Sequence, residues 1–153
     1  MQISDRKKLI LEIGKIGEQI VVELLLGAES ADNWYDREKD GTYKGMKYEV
    51  KTIRLNNKTQ GFWIDSSQWR KLDGVDVLFF VKVPESLEEG LQVFICMNHT
   101  RCWHTERTNS GAEMRCYPLT YCIPYGTIKD SRSVKAYENS KAASNHGRFA
   151  NVY

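Results

Sequence analysis

Proline is scarce in this chain: three in 153 residues, at positions 84, 118 and 124, too few and too scattered for a stiff Pro-rich linker. No apolar run approaches the roughly 20 residues that a membrane-crossing helix needs. The basic opening MQISDRKK is followed by apolar residues, but Glu12, Lys15 and Glu18 interrupt them. Neither a signal peptide nor a spanning helix is expected there, and a cytoplasmic location follows by default. Neither sign of charge dominates, with 22 Lys and Arg against 20 Asp and Glu for a net charge of +2. That balance excludes a histone-like binder held by charge alone. Internal repeats and low-complexity tracts are absent too, so solenoids and disordered tails are set aside.

Cysteine is also sparse, and its spacing is wide. Cys96, Cys102, Cys116 and Cys122 form C-x5-C-x13-C-x5-C, with His99 and His104 among them. Without an export signal a disulfide framework is not expected. Structural zinc sites favour gaps of two to four residues, so reduced cysteines are the simpler reading and a zinc-bearing interaction domain the alternative.

What remains is an ordinary globular composition, 41% hydrophobic and 27% charged, long enough for one domain with its own core. Its charge is uneven. Residues 1–49 hold eight Lys and Arg against ten Asp and Glu, and residues 50–153 hold fourteen against ten. This mild asymmetry is compatible with a nucleic-acid partner.

Leu9, Ile10, Ile13, Ile16, Ile20, Val21, Leu24 and Leu25 recur at helical spacing, so a helix is expected over about 5–26. Ser4 and Asp5 supply the cap, and Gly27 the stop. Gly14 and Gly17 inside it each cost about 1 kcal/mol against alanine, which suggests close packing on a neighbour. Residues 34–40 look extended. Runs 41–44 and 46–54 then form a hairpin about Gly45. In the second run Met46, Tyr48 and Val50 point one way, and Lys47, Glu49 and Lys51 the other. GFWID (61–65) reads as a strand, and SSQWRKL (66–72) as a short helix capped by Ser66 or Ser67. DVLFFVKV (76–83) reads as a strand buried on both faces, and LQVFICM (91–97) as its hairpin partner. Beyond 98 the pattern weakens: one strand in MRCYPLTYCIPYG, bounded by Pro118 and Pro124, then a helix over 134–144 and a loosely held tail. The expected fold is α/β or α+β, a mixed central sheet flanked by helices, with its core over about 5–97 and residues 98–153 as a C-terminal extension.

The chemistry concentrates in DREKDGTYKGMKYEVKT, residues 36–52. Glu49 and Lys51, one residue apart on a strand, emerge from the same face. Asp40, at the far end of the hairpin, can bring a second carboxylate close to the first. Two carboxylates suit a hard divalent cation such as Mg²⁺, and a nearby lysine can orient an attacking water or steady charge on a phosphate. Alone, an E-x-K on an edge strand also fits an exposed ion pair. Arg54, Lys58, Arg70 and Lys71 are a basic group near this stretch, able to meet phosphates or to form a solvated face. Gln68 is placed where it can face the same cleft.

Asp40-x8-Glu49-Val50-Lys51 resembles the D…(D/E)xK signature of the PD-(D/E)XK nuclease superfamily, and residues 10–83 follow the same order of elements. The resemblance implies a restriction endonuclease-like core with helices on both faces of a mixed sheet. It implies Mg²⁺-dependent hydrolysis of DNA phosphodiesters by endonucleolytic cutting, with Mn²⁺ able to substitute and a homodimer as one arrangement. Asp40 and Glu49 would ligate the metal, with the Val50 carbonyl as a further ligand, and Lys51 would act on the attacking water. Asp36 is an alternative to Asp40. GKIGEQIVVELL (14–25) looks like the family's first helix, with Glu18 in the position of its glutamate. At about 100° per residue, Glu18 lies roughly 120° from the centre of the apolar stripe, on its flank. A nucleic-acid-binding protein of the same fold without catalysis is the other reading of these residues.

Overall fold

The computed structural model describes residues 4–25, 29–30, 41–53, 61–65, 68, 72, 74–97 and 104–152. The first helix, α1, spans Asp5–Leu24, and the Ser4 hydroxyl accepts from the Lys7 backbone N–H at 3.2 Å, as the N-cap chemistry of serine dictates. Strand β1 (Glu29–Ser30) follows, then β2 (Gly41–Tyr43) and β3 (Met46–Ile53). Lys44 and Gly45 both take positive φ, 50° and 79°, the backbone of a two-residue hairpin turn whose twist matches the strands. β4 is Gly61–Asp65, β5 Val77–Lys82, β6 Leu91–Cys96, β7 His104–Arg107, β8 Glu113–Pro118 and β9 Ile123–Ile128, and helix α2 spans Ser131–Val152.

Two sheets result, one six-stranded in the order β1-β2-β3-β5-β6-β9 and one three-stranded in the order β4-β8-β7. The large sheet is mixed: β3 runs parallel to β5, while β2–β3, β5–β6 and β6–β9 are antiparallel. Asp76 sets the start of the parallel register. Its carboxylate accepts from the Lys47 N–H at 2.7 Å, and its own N–H donates to the Lys47 carbonyl at 2.8 Å.

β5 is buried on both faces and divides the core. Val77, Phe79 and Val81 join Ile13, Ile16, Ile20 and Val21 of α1, Tyr48 and Val50 of β3 and Ala136 of α2. Leu78 and Phe80 join Phe62 and Ile64 of β4, Tyr117 of β8, and Leu72, Val75 and Cys122. Each such apolar side chain contributes about 1.5–3 kcal/mol on leaving water. Phe62 stacks on Phe80 with centroids 4.0 Å apart, pinning the small sheet to the large one.

The expected alternation, hairpin and first helix all hold, and the mixed sheet with helices is an α+β arrangement. Several expectations are corrected. Among the described residues both long helices cover one face, and the small sheet, not a long helix, covers the other. The stretch 114–126 holds two strands, not one. A 3-10 turn at Leu119–Tyr121 sends β8 to one sheet and β9 to the other. Within the C-terminal extension, β8, β9 and α2 pair with β4, β6 and α1. The helix of the tail also runs on to Val152 rather than ending near 144. Of the glycines in α1, Gly17 does pack closely, since a Cβ there would collide with Thr52 Oγ1, whereas Gly14 has nothing within 4 Å. No helix of the described residues is long and apolar enough to cross a membrane.

Candidate functional site

β3 positions the central pair. Tyr48 and Val50 turn into the helix-side core, so alternation sends Glu49 and Lys51 to the opposite face. Their side chains meet, Lys51 Nζ lying 3.3 Å from Glu49 Oε1, with the side chains 19% and 10% exposed. An ion pair this shielded is costly to desolvate and persists only with further hydrogen bonds. Gln68 supplies one: Lys51 Nζ donates to Gln68 Oε1 at 2.7 Å, across 17 residues of chain. Gln68 is itself held, because its backbone N–H donates to Asp65 Oδ1 at 3.1 Å. Ser66 and Ser67, the expected caps, lie outside the described residues. A relay of contacts runs from Asp65 at the end of β4 through Gln68 to Lys51 and Glu49.

The described pairing of β3 changes along its length. β2 pairs with β3 only through Met46–Tyr48, and from Glu49 onward the described partner of β3 is β5 alone. Asp40 and Asp36 lie outside the described residues. Gly41, bonded to Asp40 in the chain, pairs with Tyr48, which is bonded to Glu49.

Glu18 sits apart from this pair. It is exposed on α1 and lines a groove of about 650 Å³ together with Lys15, Gln19, Glu23, Tyr48 and Arg132. This groove belongs to the helix side, so Glu18 and the Glu49–Lys51 pair flank β3 from opposite faces. Arg132 is clamped there by Glu23 and by Asp130, whose carboxylate it meets at 2.6 Å. The Arg132 guanidinium holds the Asp130 carboxyl below the usual carboxylate range.

Of the residues singled out from sequence, the structure brings together Glu49, Lys51 and Gln68. Val50 contributes its backbone between them, its side chain being buried in the helix-side core. Arg54, Lys58, Arg70 and Lys71 lie outside the described residues. Gln68, expected to face nucleic acid, spends its side-chain oxygen on Lys51. Asp65 was missed by sequence reasoning, although the D-x-x-Q spacing of Asp65 and Gln68 is a capping pattern that could have revealed it. Of the cysteine set, Cys102 and the neighbouring His99 lie outside the described residues. Cys96 and Cys122 pack on the cluster between the sheets, while Cys116 neighbours Tyr117 on β8 and so points to the other side of the small sheet. Among the described residues no three His, Cys, Asp or Glu side chains gather into a metal-holding group.

No family profile matches the chain, and no curated protein matches it in sequence.

Proposed function

We propose that this protein is a metal-dependent deoxyribonuclease of the PD-(D/E)XK kind, cutting DNA phosphodiesters at the Glu49–Lys51 pair. The observation that carries this reading is a carboxylate and an ammonium paired on one strand face, shielded from bulk water, with the ammonium tied to Gln68. A solvated ion pair would need neither the burial nor the amide.

The donors at hand fit a hard cation, since a carboxylate and a backbone carbonyl are the oxygen ligands Mg²⁺ favours. Glu49 and Asp40 would hold it, with the Val50 carbonyl as a further ligand. When bound, Mg²⁺ supplies Lewis acidity toward a phosphate and makes nearby water a better nucleophile. The chain's own residues do the rest. Lys51 orients the attacking water and steadies negative charge on the phosphate. Gln68 fixes the Lys51 ammonium, and Asp65 fixes Gln68, so that little reorganisation is needed when substrate arrives.

The test is cleavage of plasmid and branched DNA with Mg²⁺ or Mn²⁺, comparing wild type with Glu49→Gln and Lys51→Met, which keep side-chain size. Each variant should lose about 100-fold or more of the rate while keeping its circular dichroism spectrum. Cleavage that persists unchanged in both would sink the proposal, as would a wild-type chain that cuts neither substrate.

A further inference from the structure

Outside that site, one pair of reactive side chains is brought together by the strand register. β6 and β9 run antiparallel with Phe94 opposite Pro124 and Ile95 opposite Ile123. One step further along the same ladder, Cys96, the last residue of β6, falls opposite Cys122, the residue before β9. Both pack on the apolar cluster between the sheets, Cys122 being 8% exposed and Cys96 partly so, so their side chains share a face. Facing positions on antiparallel strands hold their Cβ atoms about 4.5–5.5 Å apart, close to the roughly 3.5–4.5 Å span of a disulfide. Both thiols are free.

The surroundings give the two sulfurs different roles. Cys122 is fixed, its backbone N–H donating to the Leu119 carbonyl at 3.0 Å and its thiol donating to the Pro118 carbonyl at 3.5 Å. The two thiols are also neighbours. That contact holds the Cys96 thiol below its ordinary value against the opposing effect of burial, while the same contact and burial push Cys122 well up. Cys96, the more exposed, is the sulfur that a peroxide reaches first, and Cys122, held in the cluster, is the one that resolves it.

We propose that Cys96 and Cys122 are a redox-active thiol pair that a hydroperoxide converts to an intrachain disulfide tying β6 to β9. In the first step the Cys96 thiolate attacks a peroxide oxygen, the O–O bond breaks, and the leaving hydroxide or alkoxide takes up a proton. Cys96 is then a sulfenic acid, oxidised by two electrons as the peroxide is reduced. In the second step Cys122 sulfur attacks the Cys96 sulfur, the S–O bond breaks, and the Cys122 proton leaves with the hydroxyl as water. A dithiol reductant reverses the whole change. The row Glu49, Leu78 and Cys96 runs across three adjacent strands on one face, so the pair is two strands from the Glu49–Lys51 site. The inference rests on thiol geometry alone and stands or falls independently of nuclease activity.

The experiment treats the full-length reduced chain with equimolar hydrogen peroxide, blocks remaining thiols with iodoacetamide, and maps the linkages by peptide mass spectrometry. The expected result is a peptide linking Cys96 to Cys122, reversed by dithiothreitol and absent in both Cys96→Ser and Cys122→Ser. In Cys122→Ser, dimedone should label Cys96 as the trapped sulfenic acid. The oxidised wild type should also unfold at a higher temperature than the reduced one. Alkylation of both residues after peroxide, linkage of Cys96 to Cys102 or to another chain, or zinc retained through Cys96 would each overturn the proposal.

Discussion

The two faces of the large sheet are built differently. On the helix side, aliphatic residues of α1 and β3 meet Phe79 and Val81 in a seal without charge, and the ion pairs stay outside it. Arg132 meets Glu23 and Asp130 with side chains 28%, 64% and 37% exposed. On the other face, aromatic stacking carries the packing, and a shielded charged pair and two thiols share the surface with it. Solvated ion pairs contribute little and are easily exchanged, whereas shielded charges must be held by further contacts or they destabilise the fold. The difference teaches where to look for chemistry: on the face where polar groups are kept out of water at a cost.

Breaking the packing of each face would sharpen the contrast most. Phe80→Ala removes a fully buried ring stacked on Phe62, and should cost about 3–5 kcal/mol in urea unfolding. A loss below 1 kcal/mol would mean the small sheet is not pinned there. On the helix side, Gly17→Ala forces a methyl against Thr52 and should destabilise by about 1–3 kcal/mol. Gly14→Ala, with open space around it, should instead stabilise by up to about 1 kcal/mol. Equal effects at the two glycines would contradict the described approach of α1 to β3.

Smaller changes address the polar groups. Gln68→Leu removes the amide from the Lys51 ammonium and should lower DNA cleavage about tenfold, since hydrogen bonds to charged groups contribute about 1.5–3 kcal/mol. The variant should change kcat more than KM and also lower stability by about 1–3 kcal/mol, because a shielded ammonium loses a partner. An unaltered rate would remove Gln68 from the site. Arg132→Ala should cost less than about 1 kcal/mol. Because Arg132 lowers the folded-state pKa of Asp130, its contribution is present above the ordinary carboxylate range and fades as pH falls through the lowered value. The stability difference between wild type and Arg132→Ala should therefore shrink in acid, and a difference that grows there would reverse the assignment.

Much of the candidate site was legible because it depends on local periodicity. The alternation of Met46–Lys51 placed Glu49 and Lys51 on one face without any knowledge of the neighbours. The unbroken apolar run of β5 announced burial on both sides. What hid the rest was the nature of the contacts. α2 buries Ser133, Ala136, Ser140 and Ala143, a stripe of small residues that lets two helices approach closely yet carries little hydrophobic signal. The split between β8 and β9 hides in a run whose composition suits one strand, because choice of sheet depends on the partner and not on the residue.

By itself, then, the sequence determined the capped first helix, the hairpin about Gly45, the doubly buried β5 and the shared face of Glu49 and Lys51. Backbone geometry with a period of 3.6 or 2 settles these within a few residues. Only the tertiary structure decided that a second sheet covers the Glu49 face, that Gln68 reaches Lys51 from 17 residues away, and that Cys96 meets Cys122. Those contacts join distant segments through strand pairing and packing, whose free energy is a sum over partners that no single segment contains.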